Sequence, residues 1–528
     1  MLNRYLLVRE AGLRADQRLA LACLQGLLNR TEPRMLVVRH PQDEHWADWY
    51  LRYGYEPEEI GWAKIGGLLS WACQGAVLVD PALPATLGVA VTACAARELL
   101  PWSPALAAEH PEVPVKLELG GRWPDKLSVY HWAYQELWPS CTRDTLASVH
   151  ISGGEWPGAP ILDFAVARRA FTTNLVVNDV DFPEEAAFWQ GIMAQASPLA
   201  LAVGWHQPED IEATYVQACS QAGLVQVCSS GAGNLSFHRH LRARQPFRQD
   251  HLEQAELDPD AVYLTFTQTD GDSIVAMTNL QQQQWASPLR GTMPLGWWMA
   301  PRLADDLGPA LLEYYYETKG PQDYLLCGPS GAGYNYLSQF RDREGYLALT
   351  RRYLQAVDLR ALMVINRVVQ RLPGRAVAHR TAAGEVPLPL DERGGLVEQD
   401  KNEHGADWVD PGVVADYAAA LPQVLGFFQG FEPVVGEEDR FVGEIPWIPT
   451  QVMVDGPAQA MADIERCLAG RPRPAFVSAT VNMCGPMVRR MFEQLSQLMV
   501  MLEARGYRVV RPDVFLALRR EAHRELGV

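Results

Sequence analysis

Cysteine is scarce in this chain. It carries nine in 528 residues, an odd number with no CxxC spacing among them. That excludes a disulfide framework and a cysteine-based structural zinc site, and leaves the cysteines as small buried residues of a reducing compartment. Basic residues are also short: 46 Lys and Arg face 63 Asp and Glu, a net charge of −17. A surface of that sign repels a nucleic-acid backbone and an anionic membrane, so neither is an expected partner. No run reaches the roughly 18 apolar residues that a membrane-spanning helix needs. The opening Met1-Leu-Asn-Arg-Tyr-Leu-Leu-Val-Arg-Glu10 holds an apolar run far too short for a signal peptide, and the chain is expected to be cytoplasmic.

Three catalytic signatures are missing as well. Gly328-Pro-Ser-Gly-Ala-Gly333 is glycine-rich, but no Gly-Lys-Ser/Thr follows it, which excludes a nucleotide P-loop. The same stretch lacks the third glycine of a dinucleotide fingerprint. No Gly-x-Ser-x-Gly elbow occurs, which leaves a serine hydrolase without support. The apolar share of 48% and charged share of 21% are those of an ordinary globular protein.

A chain this long exceeds one core, and strand-like runs alternate with helical periods along it. Three small layered α/β subdomains are expected at 1–66, 67–127 and 128–245, with the polar stretch 242–260 as the main boundary. From 255 to 528 the rhythm becomes regular. Strands are expected at Ala261–Thr267, Met293–Met299, Asp323–Cys327, Ala361–Asn366, Val424–Phe428, Glu444–Ile448, Ala475–Asn482 and Tyr507–Val510, most of them followed by helical patterns. That number and spacing predict a C-terminal (β/α) barrel-like catalytic domain, whose chemistry would sit at the C-terminal ends of its strands. Pro446 weakens one of those strands. Phe237-His-Arg-His240 reads as a surface strand rather than a metal site, because no carboxylates accompany it.

The chemically loaded residues fall at predicted strand ends. Thr269-Asp-Gly-Asp-Ser273 places two carboxylates at i and i+2, about 6.6 Å apart if extended. Paired carboxylates serve glycoside hydrolysis as acid and base or as acid and nucleophile. Asp270 and Asp272 could also hold a divalent cation, while Asp272 is equally placed to cap the helix that follows. Glu444 is a further candidate acid. Trp297, Gly331, Gly333, Tyr334, Tyr336, Asn366 and Asn482 are candidate substrate-binding residues. The glycines permit positive φ and close approach of a ligand, and the aromatic rings offer stacking faces. Asn402-Glu-His-Gly-Ala-Asp-Trp408, with His404 and Asp407, reads as a polar loop that covers a cleft.

Gly331-Ala-Gly-Tyr-Asn-Tyr336 resembles the naming motif of the GxGYxYP glycoside hydrolase family, with Leu337 in place of its final proline. Leu24–Arg30, Val79–Pro81, Asp163–Val166, Gly204-Trp205, Asn234–Ser236, Thr269–Asp272 and Arg290–Trp297 with Pro301 resemble the family too, so the likeness spans nearly the whole chain. It implies a three-part N-terminal region before a larger C-terminal domain, and a hydrolase acting on a small-molecule or oligosaccharide substrate. No cofactor is expected beyond a cation at Asp270 and Asp272. The alternatives are a metal-assisted hydrolase or deacetylase on a similar barrel, and a non-catalytic glycan- or protein-binding protein.

Overall fold

The computed structural model describes residues 3–150, 161–372, 376–381, 384–389, 408–430, 433, 438–483 and 490–526. His404 and Asp407 lie outside them. The fold is mixed α/β, with two compact units: Met1–Arg244 with Leu303–Tyr314, and Gln245–Arg302 with Tyr315–Val528.

The first unit holds three small parallel sheets. β1 (Asn3–Arg9), β2 (Met35–Val38) and β3 (Tyr55–Glu59) run in the order β2-β1-β3. β4 (Gly75–Leu78), β5 (Leu99–Trp102) and β6 (Val115–Glu118) run β5-β4-β6. β7 (Thr145–Ser148), β8 (Phe171–Thr173), β9 (Leu201–Gly204) and β10 (Val225–Cys228) run β10-β9-β7-β8.

The helix Ala15–Leu28 is rich in Leu, Ala and Gln, which suit a helix, and it is buried along most of its length. Gly26 lets the helix Leu162–Ala167 come close, since a Cβ there would fall 2.4 Å from the Asp163 carbonyl oxygen.

Buried polar side chains tie this unit together. Gln25 donates to Asn234 Oδ1 at 2.7 Å, and Asn29 donates to Ser236 Oγ at 2.9 Å. Asn234 Oδ1 also accepts the Val37 N–H at 2.8 Å, while its Nδ2 donates to the Val37 carbonyl and to Asp43. The Ser236 N–H donates to Asp163, whose pKa is pushed up to about 6 by burial. Phe237-His-Arg-His240 is not a surface strand. It follows a left-handed turn at Asn234 (φ +61°) into the short helix Leu235–His238, and His238 is buried, its Nδ1 2.6 Å from the Tyr50 hydroxyl. Burial pushes the His238 pKa down to about 3, so the ring is neutral. The neighbours that bury Phe237, such as Tyr5 and Tyr50, lie far away in sequence, so its own stretch carries no sign of that burial.

The second unit is built on one large, mainly parallel ladder. Its strands include β11 (Val262–Gln268), β12 (Leu295–Met299), β13 (Asp323–Cys327) and β14 (Ala361–Val364). After β14 a separate antiparallel sheet forms from β15 (Val369–Leu372), β16 (Ala376–Thr381) and β17 (Gly384–Pro389). The ladder resumes with β18 (Gly426–Gln429), β19 (Arg440–Val442), β20 (Ile445–Pro449), β21 (Val452–Val454), β22 (Ala475–Val481) and β23 (Arg508–Val509). The order is β19-β20-β18-β14-β13-β12-β11-β22-β21, with β23 beside β11. Only β19 is antiparallel.

β20 and β21 are separated by Thr450 and Gln451 alone. The Thr450 N–H donates to the Gln429 carbonyl on one side, and the Gln451 N–H donates to the Ser478 carbonyl on the other. The chain therefore runs continuously from one end of the parallel order to the other, and seven parallel runs follow one another, with the short β23 beside β11. Most of these strands are buried throughout, as parallel strands covered on both faces are. Pro446 is accommodated at the start of β20, ahead of the parallel pairing with β18 that begins at Trp447.

Asn234→Ala should lower stability by roughly 2–4 kcal/mol, because it orphans several buried partners and puts alanine at positive φ. Denaturant unfolding of the full chain checks this, and Asn234→Gly should recover only the backbone part.

Candidate active site

Parallel strands all end at the same edge, so the segments that follow β11, β13, β14, β21 and β22 share one side of the second unit. The turn after β11 carries the two acids. The Thr269 N–H donates to the Val481 carbonyl at 3.0 Å, and its hydroxyl accepts the Met483 N–H at 2.9 Å. The same hydroxyl donates to the Asp270 carboxylate. Asp270 adopts a left-handed backbone (φ +63°), unusual for a residue with a side chain. The Ser273 N–H closes the turn on the Asp270 carbonyl at 3.0 Å. The following helix begins at Ile274, after Ser273, so Asp272 stands outside the cap position. Both carboxylate residues are half-buried.

Two glycines press this turn onto its neighbours. A Cβ on Gly271 would lie 1.9 Å from the Trp298 carbonyl oxygen, and one on Gly328 would lie 2.7 Å from Asp272 Cβ. The acidic turn is thereby held against the ends of β12 and β13.

The Gly328–Tyr336 loop is tightly hydrogen-bonded. Tyr346 donates to the Gly333 carbonyl at 2.6 Å, and Tyr417 donates to the Ser330 carbonyl at 2.6 Å. The Ser330 hydroxyl donates to the Ile365 carbonyl at 2.7 Å, and the Ala332 N–H donates to Thr350 Oγ1 at 3.1 Å. Gly331 has φ +115°, and a Cβ there would meet the Thr350 side chain at 2.5 Å. Burial raises the pKa of Tyr346 and Tyr417 and keeps both as neutral donors. Tyr334 and Tyr336 are buried and meet edge to face, with ring centres 6.0 Å apart. Gly333 is the partly accessible residue of the motif. Burial, and then the nearby Asp272 carboxylate, raise the pKa of the Cys327 thiol, so it is not an activated nucleophile.

Asn366, after β14, accepts the Ser338 N–H at 2.9 Å and donates to Ser338 Oγ at 2.9 Å, fastening the far end of the same loop. Asn482, after β22, donates to Asp455 at 3.2 Å. Asp270, Asp272, the glycine–tyrosine loop, Asn366 and Asn482 thus share the C-terminal edge of the ladder.

Two expected residues are not brought there. Glu444 lies at the start of β20, the opposite end of the ladder, where it is exposed and paired with Arg524. That hydrogen bond holds its carboxyl below the usual range, which suits an ion pair and not a proton donor. Trp297 is fully buried within β12. Its indole donates to Asp323 Oδ1 at 2.9 Å and packs on Trp285 and Phe492, so it offers no open face for stacking.

Sequence reasoning assigned no part to Thr269, Ser330, Tyr346, Tyr417 or Arg367. Arg367 is buried immediately after Asn366. Thr269 stands beside Asp270, Ser330 lies within the glycine-rich stretch and Arg367 follows Asn366; Tyr346 and Tyr417 reach the edge through tertiary packing. Among the described residues, no three His, Cys, Asp or Glu side chains converge to hold a metal ion. No helix among them is long and apolar enough to cross a membrane.

Residues 260–520 match the GxGYxYP putative glycoside hydrolase C-terminal domain, and residues 149–240 match the GxGYxYP third domain. Together these matches take in more than half of the 528 residues. The crystal structure of a putative hydrolase from Bacteroides thetaiotaomicron VPI-5482 superposes with a TM-score of 0.77 over 98% of this chain and 95% of that one, at 19% identity. At that identity the likeness establishes the fold. No curated protein sequence matches.

Gly271→Ala should destabilise the second unit by about 1–3 kcal/mol, because its new methyl must displace a backbone carbonyl. A lowered denaturant midpoint would show it, and an unchanged midpoint would refute the close approach.

Proposed function

The chain belongs to the GxGYxYP putative glycoside hydrolase family, and from that premise we propose that it hydrolyses a glycosidic bond in an oligosaccharide, with Asp270 and Asp272 as its working carboxylates. The observation that carries this reading is the turn Thr269–Ser273, held at the C-terminal edge of a parallel ladder by β22 and by the ends of β12 and β13. In (β/α) barrel enzymes, chemistry is built at that edge.

Glycoside hydrolysis needs one carboxyl group to protonate the leaving oxygen and another to attack the anomeric carbon or to activate water. Asp270 is the better placed for the ionised role. Its carboxylate takes the Thr269 hydroxyl hydrogen bond, which stabilises charge. Asp272, packed at Gly328, is assigned the proton-donor role. Gly333, with Asn366 and Asn482 at neighbouring strand ends, would line the sugar site, while the buried Tyr334 and Tyr336 give the motif a rigid base.

A panel of aryl glycosides and neutral oligosaccharides, assayed with and without a chelator, tests the proposal. Asp270→Asn should lower kcat at least about 100-fold with folding intact, Asp272→Asn should do likewise, and Glu444→Gln should leave the rate within about twofold. Full activity in Asp270→Asn overturns the assignment. Loss of activity on chelation would favour a metal-assisted hydrolase at the same turn.

Thr269→Val should lower kcat with folding intact, because it removes the hydroxyl that joins the Asp270 carboxylate to the Met483 N–H beyond β22. Thr269→Ser should restore the rate.

A further inference from the structure

The first unit contains a cavity that this chemistry leaves unused. Its volume is about 510 Å³, and it lies where the helix Trp62–Ala72 meets β1 and β3. Leu6, Leu28 and Leu68 supply its apolar lining, and Arg4, Glu58 and Trp71 also line it. Trp71 is 56% exposed, which is unusual for the largest apolar side chain. Arg4 and Glu58 sit on paired strands, in the register Arg4 opposite Glu56 and Leu6 opposite Glu58. Among the described residues neither the Arg4 nor the Glu58 side chain has a hydrogen-bond or ion-pair partner.

An exposed indole beside an unengaged guanidinium and an unengaged carboxylate selects a particular chemistry. The indole face packs on an apolar C–H surface, the guanidinium donates hydrogen bonds and the carboxylate accepts them. A ligand that is flat and apolar on one side and ringed by hydroxyls satisfies all three. An anion would be opposed by Glu58 and a cation by Arg4. The remaining cation of the lining, Arg34, is already paired with Glu32.

We propose that this cavity is a carbohydrate-binding subsite in the first unit, which stacks a neutral pyranose ring on Trp71 and hydrogen-bonds its hydroxyls through Arg4 and Glu58. The inference rests on the carbohydrate reading of the chain but not on Asp270 as its catalyst.

Affinity electrophoresis of the full chain tests it, in native gels containing soluble neutral glucan, xylan, mannan or galactan, with polygalacturonate as the anionic control. Wild type and Asp270→Asn should both be retarded in at least one neutral gel. Trp71→Ala should weaken that retention at least about tenfold, as loss of a central aromatic anchor does, and the double substitution Arg4→Ala with Glu58→Ala should weaken it similarly. Trp71→Ala should also cleave small aryl glycosides at the wild-type rate. Retention of Trp71→Ala equal to wild type, absence of retardation of wild type in every neutral gel, or retardation by polygalacturonate alone would each overturn the proposal. If retention depends on Trp71 while Asp270→Asn keeps full activity, the assignment of Asp270 fails and the subsite stands.

Discussion

The candidate site depends on how closely three strand ends approach one another. Gly271 lies against the Trp298 carbonyl and Gly328 against Asp272, each where a Cβ would intrude below van der Waals distance. Without side chains at those two points, the turn after β11 reaches the ends of β12 and β13, and the two acids are fixed instead of mobile. Positive φ at Asp270 follows from the same requirement: the chain must reverse within a few residues of Gln268 to begin the helix beyond. Strain of this kind persists where surrounding contacts over-determine it. Here the contacts are the two glycine approaches and the hydrogen bonds from β22.

Much of the fold was legible because parallel strands buried on both faces leave a strong apolar signal. Ala261–Thr267, Met293–Met299, Asp323–Cys327 and Ala475–Asn482 each correspond closely to an observed strand. What remained hidden was long-range. The stretch around Glu444–Ile448 reads as one strand with a troublesome proline. In fact the chain from Ile445 to Val454 pairs with β18 in its first half and with β22 in its second. Neither half carries that change of partner in its own residue types. The helical turn at Leu235–His238 was missed for the same reason, since its burial is imposed by aromatic rings distant in sequence.

The site was legible to the extent that strand ends were. Asp270, Asp272, Gly331, Asn366 and Asn482 follow recognisable strands, so the parallel topology alone gathers them. Glu444 was misplaced because a carboxylate beside a strand says nothing about which end it occupies, and this one precedes its strand. Trp297 was misread because a tryptophan inside a buried strand packs as readily outward, onto Trp285 and Phe492, as toward a ligand. Tyr346 and Tyr417 were invisible in the sequence, since they act on loop carbonyls from helices whose patterns report only burial.

The order in which the chain supplies these parts has a mechanical consequence. Thr269 lies directly after the first strand of the ladder, yet the groups that fix it, the Val481 carbonyl at the end of β22 and the Met483 N–H just beyond it, come more than two hundred residues later. The geometry of Asp270 is therefore not a local property of Thr-Asp-Gly-Asp. It is completed when β22 pairs with β11 along its full register, Val262 with Ala475 through Gln268 with Val481. Contacts of such sequence separation form only after the loop entropy between them has been overcome. A carboxylate positioned this way is ordered only in the fully assembled ladder, where the β11–β22 seam and the approaches of β12 and β13 act on one turn together.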